Sequence, residues 1–204
     1  RQRVLEEADV ASRLKLVQAA TDAARQAVFS SLGEAVVGAQ VLDMFAGTGS
    51  YGLEAASRGA AKAVFLETDR RALDCLRRNA AAVKKAVESG GGSVSFEVLP
   101  ADCAKSAKIL GGRKFDFVFA DPPYKMLSDP KLLPQILDTF AQIASPETVF
   151  ALEAPADFEP PAETFGENGA FTILKRLGKK SRGKPSQILF HRPHRGLHEP
   201  HDPA

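Results

Sequence analysis

The stretch FADPPYK, residues 119–125, contains groups that could hold a reacting molecule. It supplies one carboxylate (Asp121), two adjacent prolines (Pro122 and Pro123) and an aromatic ring (Tyr124). Because proline fixes φ and lacks a backbone N–H, the pair makes a stiff, extended segment with free carbonyl groups. Such a segment could end a strand, with Asp121 capping its own backbone, or it could present hydrogen-bond acceptors to a ligand.

A glycine-rich segment and three acids form a second group of candidates. The segment VLDMFAGTGSYGLEA, residues 41–55, has the spacing GxGxxG, which alone is a weak sign of a dinucleotide site. Asp43 argues against a bound pyrophosphate, because like charges repel, and favours a ligand that carries a cation. Glu67 is the last residue of the second predicted strand, where an acid can bind both ribose hydroxyls, and Asp102 with the Cys103 amide could bind adenine. Each acid alone could be a turn residue or a helix cap, but together they favour S-adenosylmethionine.

The C-terminal region carries charge of one sign. Residues 168–198 contain no Asp or Glu, and they include Lys179, Lys180, Arg182 and Lys184. A basic segment suits the phosphate backbone of a nucleic acid, although a solvated connection between two strands is an equally good interpretation. For residues 196–204 we expect a disordered tail.

Alternating strands and helices must position these residues. Strand-like segments at residues 40–44, 63–67, 94–99, 115–120 and 148–153 alternate with helical segments at 51–57, 70–87, 103–110 and 130–143. This order predicts an α/β fold with a parallel sheet and helices on both faces. Residues 171–177 and 187–191 follow as two successive strands and predict an antiparallel hairpin. We expect a helical extension over residues 1–33 and one domain over residues 34–195.

The composition excludes several classes of protein. With 204 residues, 44% of them hydrophobic, the chain can bury one substantial core. No apolar run approaches the roughly 20 residues that cross a bilayer, and the N-terminal residues lack the apolar core of a secretion signal. Cys75 and Cys103 have neither disulfide density nor metal-site spacing. We therefore expect a cytoplasmic monomer without membrane contact or bound metal.

Four motifs, VLDMFAGTGSYGLEAASRGAAKAVFLETD, RRALDCLRRN, ADC and ADPPY, together resemble the class I S-adenosylmethionine-dependent methyltransferases. More narrowly, the chain resembles the RsmD family, which methylates a guanine N2 amine in 16S (small-subunit) ribosomal RNA. The resemblance implies a Rossmann-like fold with a mostly parallel seven-stranded sheet and a C-terminal antiparallel hairpin. It also implies ribosomal RNA, or the assembling small ribosomal subunit, as the partner.

The resemblance further implies site residues. Those expected to bind the cofactor are Asp43, Phe45, Ala46, Gly47, Thr48, Gly49, Glu67, Thr68, Asp102, Cys103 and Asp121. Those expected at the reacting amine are Asp121, Pro122, Pro123 and Tyr124, and those expected at RNA are Arg25, Lys125, Lys179, Lys180, Arg182 and Lys184. One segment departs from the family pattern, because Ala19-Ala20-Thr21 stands where family members have Arg-Pro-Thr.

An exocyclic base amine is a poor nucleophile because its lone pair is delocalised into the ring. In this interpretation the Asp121 carboxylate and the Pro122 carbonyl accept its two N–H groups, and Tyr124 stacks on the extruded base. The same motif also suits adenine N6 or a protein glutamine, so these substrates stay open as alternatives. A cofactor-binding scaffold without chemistry is the non-enzymatic alternative.

Overall fold

The computed structural model describes residues 22–161, 172–177 and 186–191. Its strands are β1 (Gln40–Asp43), β2 (Lys62–Glu67), β3 (Ser95–Pro100), β4 (Phe117–Ala120), β5 (Val149–Pro155), β6 (Thr172–Leu177) and β7 (Ser186–His191). They form one sheet in the order β3-β2-β1-β4-β5-β7-β6. Neighbours among β1 to β5 are parallel, whereas β7 is antiparallel to both β5 and β6. The predicted mostly parallel seven-stranded sheet with a C-terminal hairpin is confirmed.

One helix precedes β1, and the others lie in the connections between the parallel strands. They are α1 (residues 22–32 of the described chain), α2 (Ser50–Ser57), α3 (Arg70–Ser89), α4 (Ala107–Leu110), α5 (Tyr124–Leu127) and α6 (Leu132–Ile143). The single helix expected over residues 103–110 was wrong, because a 3₁₀ turn at Cys103–Lys105 precedes α4. The Ser106 hydroxyl and its backbone N–H both donate to the Cys103 carbonyl, which closes that turn before α4 begins. The short helix α5 was not predicted.

The core consists of two apolar layers, one on each face of the sheet. Helices α1, α2 and α3 cover one face, where Val28, Ala55 and Leu76 are fully buried. Helices α4 and α6 cover the other face, where Leu110 and Ile136 are fully buried. Because side chains alternate along a strand, each central strand supplies apolar groups to both layers. The sheet therefore lies between two layers of helices, and each of its faces is covered by apolar side chains.

Helix α1 shares its core with the sheet. Ala24, Val28 and Phe29 are at most 1% exposed, and a 3₁₀ turn at Gly33–Val36 leads from the helix towards β1. A domain boundary at residue 33 stays a prediction. The basic residues at positions 179–184 and the tail at residues 196–204 lie outside the described residues. Among the helices that the structure describes, none has the length and apolar character to cross a membrane.

Candidate functional site

The glycine turn, residues 44–49, connects the end of β1 to helix α2. Gly47 and Gly49 have φ values of 53° and 97°, a region that favours glycine because it has no Cβ. The turn is tied to the end of β2, since the Gly47 N–H donates to Glu67 Oε2 at 2.7 Å. The other oxygen, Glu67 Oε1, accepts the N–H groups of Thr68 and Asp69 at 2.7 and 2.8 Å. Glu67 therefore fixes the relative positions of two strand ends.

Asp43 lies behind the glycine turn. Its side chain is 2% exposed, and its Oδ2 accepts the Gly52 N–H at 3.0 Å. Burial raises the pKa of Asp43 to about 7, and the negative charges of Asp121 and Glu67 add to this effect. The first turn of α2 also packs tightly on β2, because a Cβ at Gly52 would stand 2.3 Å from the Phe65 ring. In the described structure Asp43 therefore supports the glycine turn from behind, through its hydrogen bond to the Gly52 N–H at the start of α2.

A cavity of about 240 Å³ opens at the carboxyl ends of β1, β2, β3 and β4, the position where parallel sheets bind ligands. The cavity is lined by Met44, Phe45, Leu66, Glu67, Thr68, Ala101, Asp102, Cys103, Asp121, Pro123 and Met126. Seven of the predicted site residues thus meet in one place. The other predicted residues of the turn, Ala46, Gly47, Thr48 and Gly49, do not line this cavity, and Thr48 and Gly49 instead border a neighbouring cleft.

The cavity has an apolar wall and acidic corners. Met44, Leu66 and Met126 supply apolar surface that the sequence interpretation missed, since single apolar residues near strand ends carry no distinctive signal. Asp102 is half-buried, and its Oδ1 accepts the Ala104 N–H at 3.0 Å, which caps the 3₁₀ turn. Burial raises the pKa of the Cys103 thiol far above its usual range, so this cysteine stays protonated. Such a cavity suits a flat, apolar ring that carries hydroxyl or amine donors.

The ADPPY segment begins at the end of β4 and leads into helix α5. Burial raises the pKa of Asp121 to about 6. Pro122 is buried and Pro123 is exposed, and the Pro123 carbonyl accepts the Met126 N–H at 2.7 Å, which starts the helical turn. Tyr124 is half-buried beside Asp121, and burial raises the pKa of its phenol. The segment therefore places a carboxylate in the cavity wall and an aromatic ring next to it.

A second group of polar residues surrounds Asp121 on the other side. Glu153 near the end of β5 is 9% exposed, and Tyr51 Oη donates to its Oε2 at 3.5 Å. Ser186 on β7 lies near both Glu153 and Tyr124 and partly offsets the rise in the pKa of each group. Burial, followed by the charge of Asp121, raises the pKa of Glu153 to about 7. The sequence interpretation gave these three residues no role, although Glu153, an acid near the end of a strand, carried the same signal as Glu67.

The predicted RNA-binding residues are only partly described. The Arg25 guanidinium is 2.6 Å from Asp22 Oδ1 and 3.9 Å from Glu54 Oε2, so acids already balance its charge. Lys125 is exposed and lines a groove of about 1050 Å³ that also contains Tyr124 and Arg176. No cluster of His, Cys, Asp or Glu among the described residues is arranged to hold a metal ion.

Curated relatives of the chain are ribosomal RNA methyltransferases. Ribosomal RNA small subunit methyltransferase D from Escherichia coli is 37% identical over 105 residues, which are 52% of this chain and 48% of that protein. The "Putative rRNA methyltransferase YlbH" from Bacillus subtilis is 27% identical over 168 residues, covering 76% of this chain and 86% of that protein. The match to the first of these relatives thus spans about half of its length.

The fold is shared with a solved structure described as a "putative methylase" from Haemophilus influenzae. That structure is 27% identical, covers 85% of this chain and 98% of its own, and superposes with a TM-score of 0.64. The predicted Rossmann-like methyltransferase fold and the resemblance to the RsmD family are confirmed. The family model described as "Conserved hypothetical protein 95" matches residues 12–178, and the chain therefore belongs to that family.

Proposed function

We propose that this protein transfers a methyl group from S-adenosylmethionine to the N2 amine of a guanine in small-subunit ribosomal RNA. The observation that carries the proposal is the position of Asp121. It directly follows the end of β4 and lines the same cavity as Glu67 and Asp102. An amine held at Asp121 would therefore lie beside a ligand held in that cavity.

The residues of the cavity fit an adenosine derivative. A carboxylate offers about four lone pairs, and three of those on Glu67 accept backbone N–H groups, which leaves acceptor capacity for a ribose hydroxyl. Asp102 would accept the adenine amine, while Phe45 and Met126 would contact the faces of the ring. When bound, S-adenosylmethionine supplies a methyl group that its sulfonium already activates. Asp43 would support the turn from behind, since its carboxylate bonds to Gly52.

The protein's task at the amine is orientation. The Asp121 carboxylate and the Pro122 carbonyl would accept the two N–H groups and draw the nitrogen towards tetrahedral geometry. Its lone pair would then point at the methyl group, so most of the rate would come from placement. Tyr124 would stack on the base, which must leave its helix or fold to reach the site.

The names of the relatives support ribosomal RNA as the substrate class. Ribosomal RNA small subunit methyltransferase D from Escherichia coli shares 37% of residues in the matched segment. The exposed Lys125 next to Tyr124 would contact an RNA phosphate, and residues 179–184 add basic charge further along the chain. We propose the cytoplasm, where ribosomes assemble, as the site of action.

Transfer of labelled methyl groups tests the proposal. Small-subunit particles, naked ribosomal RNA, DNA and total protein are each incubated with the enzyme and labelled S-adenosylmethionine, and the modified nucleoside or residue is identified. We expect the label in N2-methylguanosine of small-subunit RNA. Label in adenine or glutamine would contradict the substrate, and cofactor binding without any transfer would favour a scaffold.

Replacement of Asp121 tests its role. Asp121→Ala removes an acceptor from the amine, and we expect turnover to fall by about 100-fold or more while S-adenosylmethionine still binds. Asp138→Ala removes an exposed carboxylate on α6 and is the matched control. Calorimetry measures cofactor binding, and retained turnover in Asp121→Ala would contradict the role assigned to this carboxylate.

A further inference from the structure

Asp121 and Glu153 stand side by side on adjacent strands. Strands β4 and β5 are parallel, and Ala120 pairs with Leu152 as the last pair of their register. Asp121 directly follows the last residue of β4 and Glu153 is the next residue of β5, so the two follow this pair in step, and the charge of Asp121 acts on Glu153. Because adjacent strands lie about 4.8 Å apart, the backbone atoms of these two residues are separated by a similar distance.

Polar groups hold the Glu153 carboxylate in place. Tyr51 Oη donates to Oε2 at 3.5 Å, and the Tyr51 ring is itself fixed by stacking on Phe119 at a centroid distance of 5.4 Å. Ser186 on β7 lies near both Glu153 and Tyr124, the residue expected to stack on the base, and partly offsets the rise in their pKa values. A carboxylate with about four lone pairs can accept the Tyr51 hydroxyl and still accept other donors. Glu153 therefore lies beside Asp121, the carboxylate proposed to hold the amine, and keeps acceptor capacity for an N–H.

The purine edge that would meet these carboxylates differs between bases. Guanine presents two neighbouring donors, the N1–H and the N2 amine, whereas adenine presents one amine beside a bare ring nitrogen. Paired carboxylates match the first pattern, and an ionised carboxylate repels the lone pair of the second. We propose that Glu153 is a specificity-determining residue that accepts the guanine N1–H while Asp121 accepts the N2 amine. This inference rests on the function proposed above.

A purely structural role for Glu153 makes a different prediction. If the carboxylate only holds Tyr51 in place, its replacement would change the rate for every substrate by the same factor. If it contacts N1, its replacement would change the preference between bases that share the C2 amine but differ in whether N1 carries a hydrogen. The ratio of rates for two substrates therefore separates the two roles.

Synthetic RNA substrates provide that comparison. Fragments around the methylated position are made with guanosine, 2-aminopurine riboside or 2,6-diaminopurine riboside at the target. All three bases carry the amine on C2, but only guanine carries a hydrogen on N1. For the wild-type enzyme we expect kcat/KM for guanosine to exceed that for either analogue by about 10- to 100-fold, the value of one hydrogen bond to a charged acceptor. This measurement requires no variant and so does not depend on how a substitution folds.

Glu153→Gln is the matching variant. The amide has nearly the same shape, can still accept from Tyr51, and can donate from its NH₂ group to a bare N1. We expect its ratio of guanosine to 2-aminopurine to approach 1, within about threefold. Glu147→Gln, which removes an exposed charge before the opposite end of β5, should keep the wild-type ratio.

Each outcome separates this inference from the proposed function. Methylation of guanine with an unchanged ratio in Glu153→Gln would overturn the inference and leave the proposed function standing. Equal rates of the wild-type enzyme on guanosine and 2-aminopurine would do the same. Absence of guanine methylation by the wild-type enzyme would overturn both.

Discussion

The two glycines of the GTG sequence have different packing, and alanine substitution should expose the difference. Gly49 has φ 97°, and a Cβ there would stand 2.5 Å from Leu76 Cδ1 and 2.8 Å from Leu53 Cδ1. Gly47, two residues earlier, has φ 53° with no atom within 4 Å of the Cβ position. Gly49→Ala therefore adds both backbone strain and a steric clash, whereas Gly47→Ala adds backbone strain alone.

The size of the effect follows from these contacts. Left-handed backbone costs an alanine roughly 1–2 kcal/mol, and this cost applies to both variants. Overpacking of a filled core adds about 1–3 kcal/mol, and it applies to Gly49→Ala because Leu76 is fully buried between α3 and the sheet and has little room to move. We expect Gly47→Ala to lose about 1–2 kcal/mol of unfolding free energy and Gly49→Ala about 2–5 kcal/mol.

Urea unfolding measures both values. The chain contains no tryptophan, so far-ultraviolet circular dichroism is the suitable signal. Gly91→Ala, in an open turn after α3 with φ 81° and no atom within 4 Å, measures the cost of backbone strain away from the site. If Gly49→Ala were no less stable than Gly47→Ala and Gly91→Ala, this result would contradict the steric clash expected between a Cβ at position 49 and Leu76.

Three further predictions follow from the ionisable groups. Methyl transfer should rise with pH and reach half its maximum between about pH 6 and 7, since Asp121 and Glu153 become strong, charged acceptors of N–H groups when they ionise. A kcat/KM profile that is flat across this range would contradict their role as charged acceptors. The pKa of Asp43 is raised from its ordinary value of 3.8 to about 7 in the folded protein, so the folded state loses stability as the pH rises through this range. Asp43→Asn should therefore have a free energy of unfolding up to about 4 kcal/mol higher than that of the wild type at pH 8. This difference should vanish near pH 4. Thermal unfolding of both proteins across this pH range measures that difference, and a constant difference would count against the buried charge. Arg113→Ala breaks a 2.8 Å ion pair with Glu97 in which both side chains are about one-third exposed, so unfolding in low and high salt should show a loss below about 1 kcal/mol that high salt reduces further.

Local sequence patterns were sufficient to predict the sheet. Each strand and helix has its own apolar pattern, and the order of elements alone implies a parallel sheet, because every parallel crossover needs a covering helix. Element ends shifted by one or two residues in most cases. The helix expected from Cys103 failed because Ser106 bonds back to Cys103, a competition between side chain and backbone that the apolar pattern does not reveal.

The sequence by itself also determined which residues stand at strand ends. Glu67 is the last residue of a strand, and Asp102 and Asp121 come just after strands. Because parallel strands bring their carboxyl ends to the same side of the sheet, the meeting of these acids in one cavity was predictable. Only the tertiary structure decided the surroundings of Asp121. The hydrogen bond between Tyr51 and Glu153 joins residues 102 positions apart, and it depends on the register of β4 with β5 and on the depth at which α2 packs. The strand register and the depth of helix packing are set by how many side chains fit together across the sheet, and this fit cannot be predicted from any short segment of sequence.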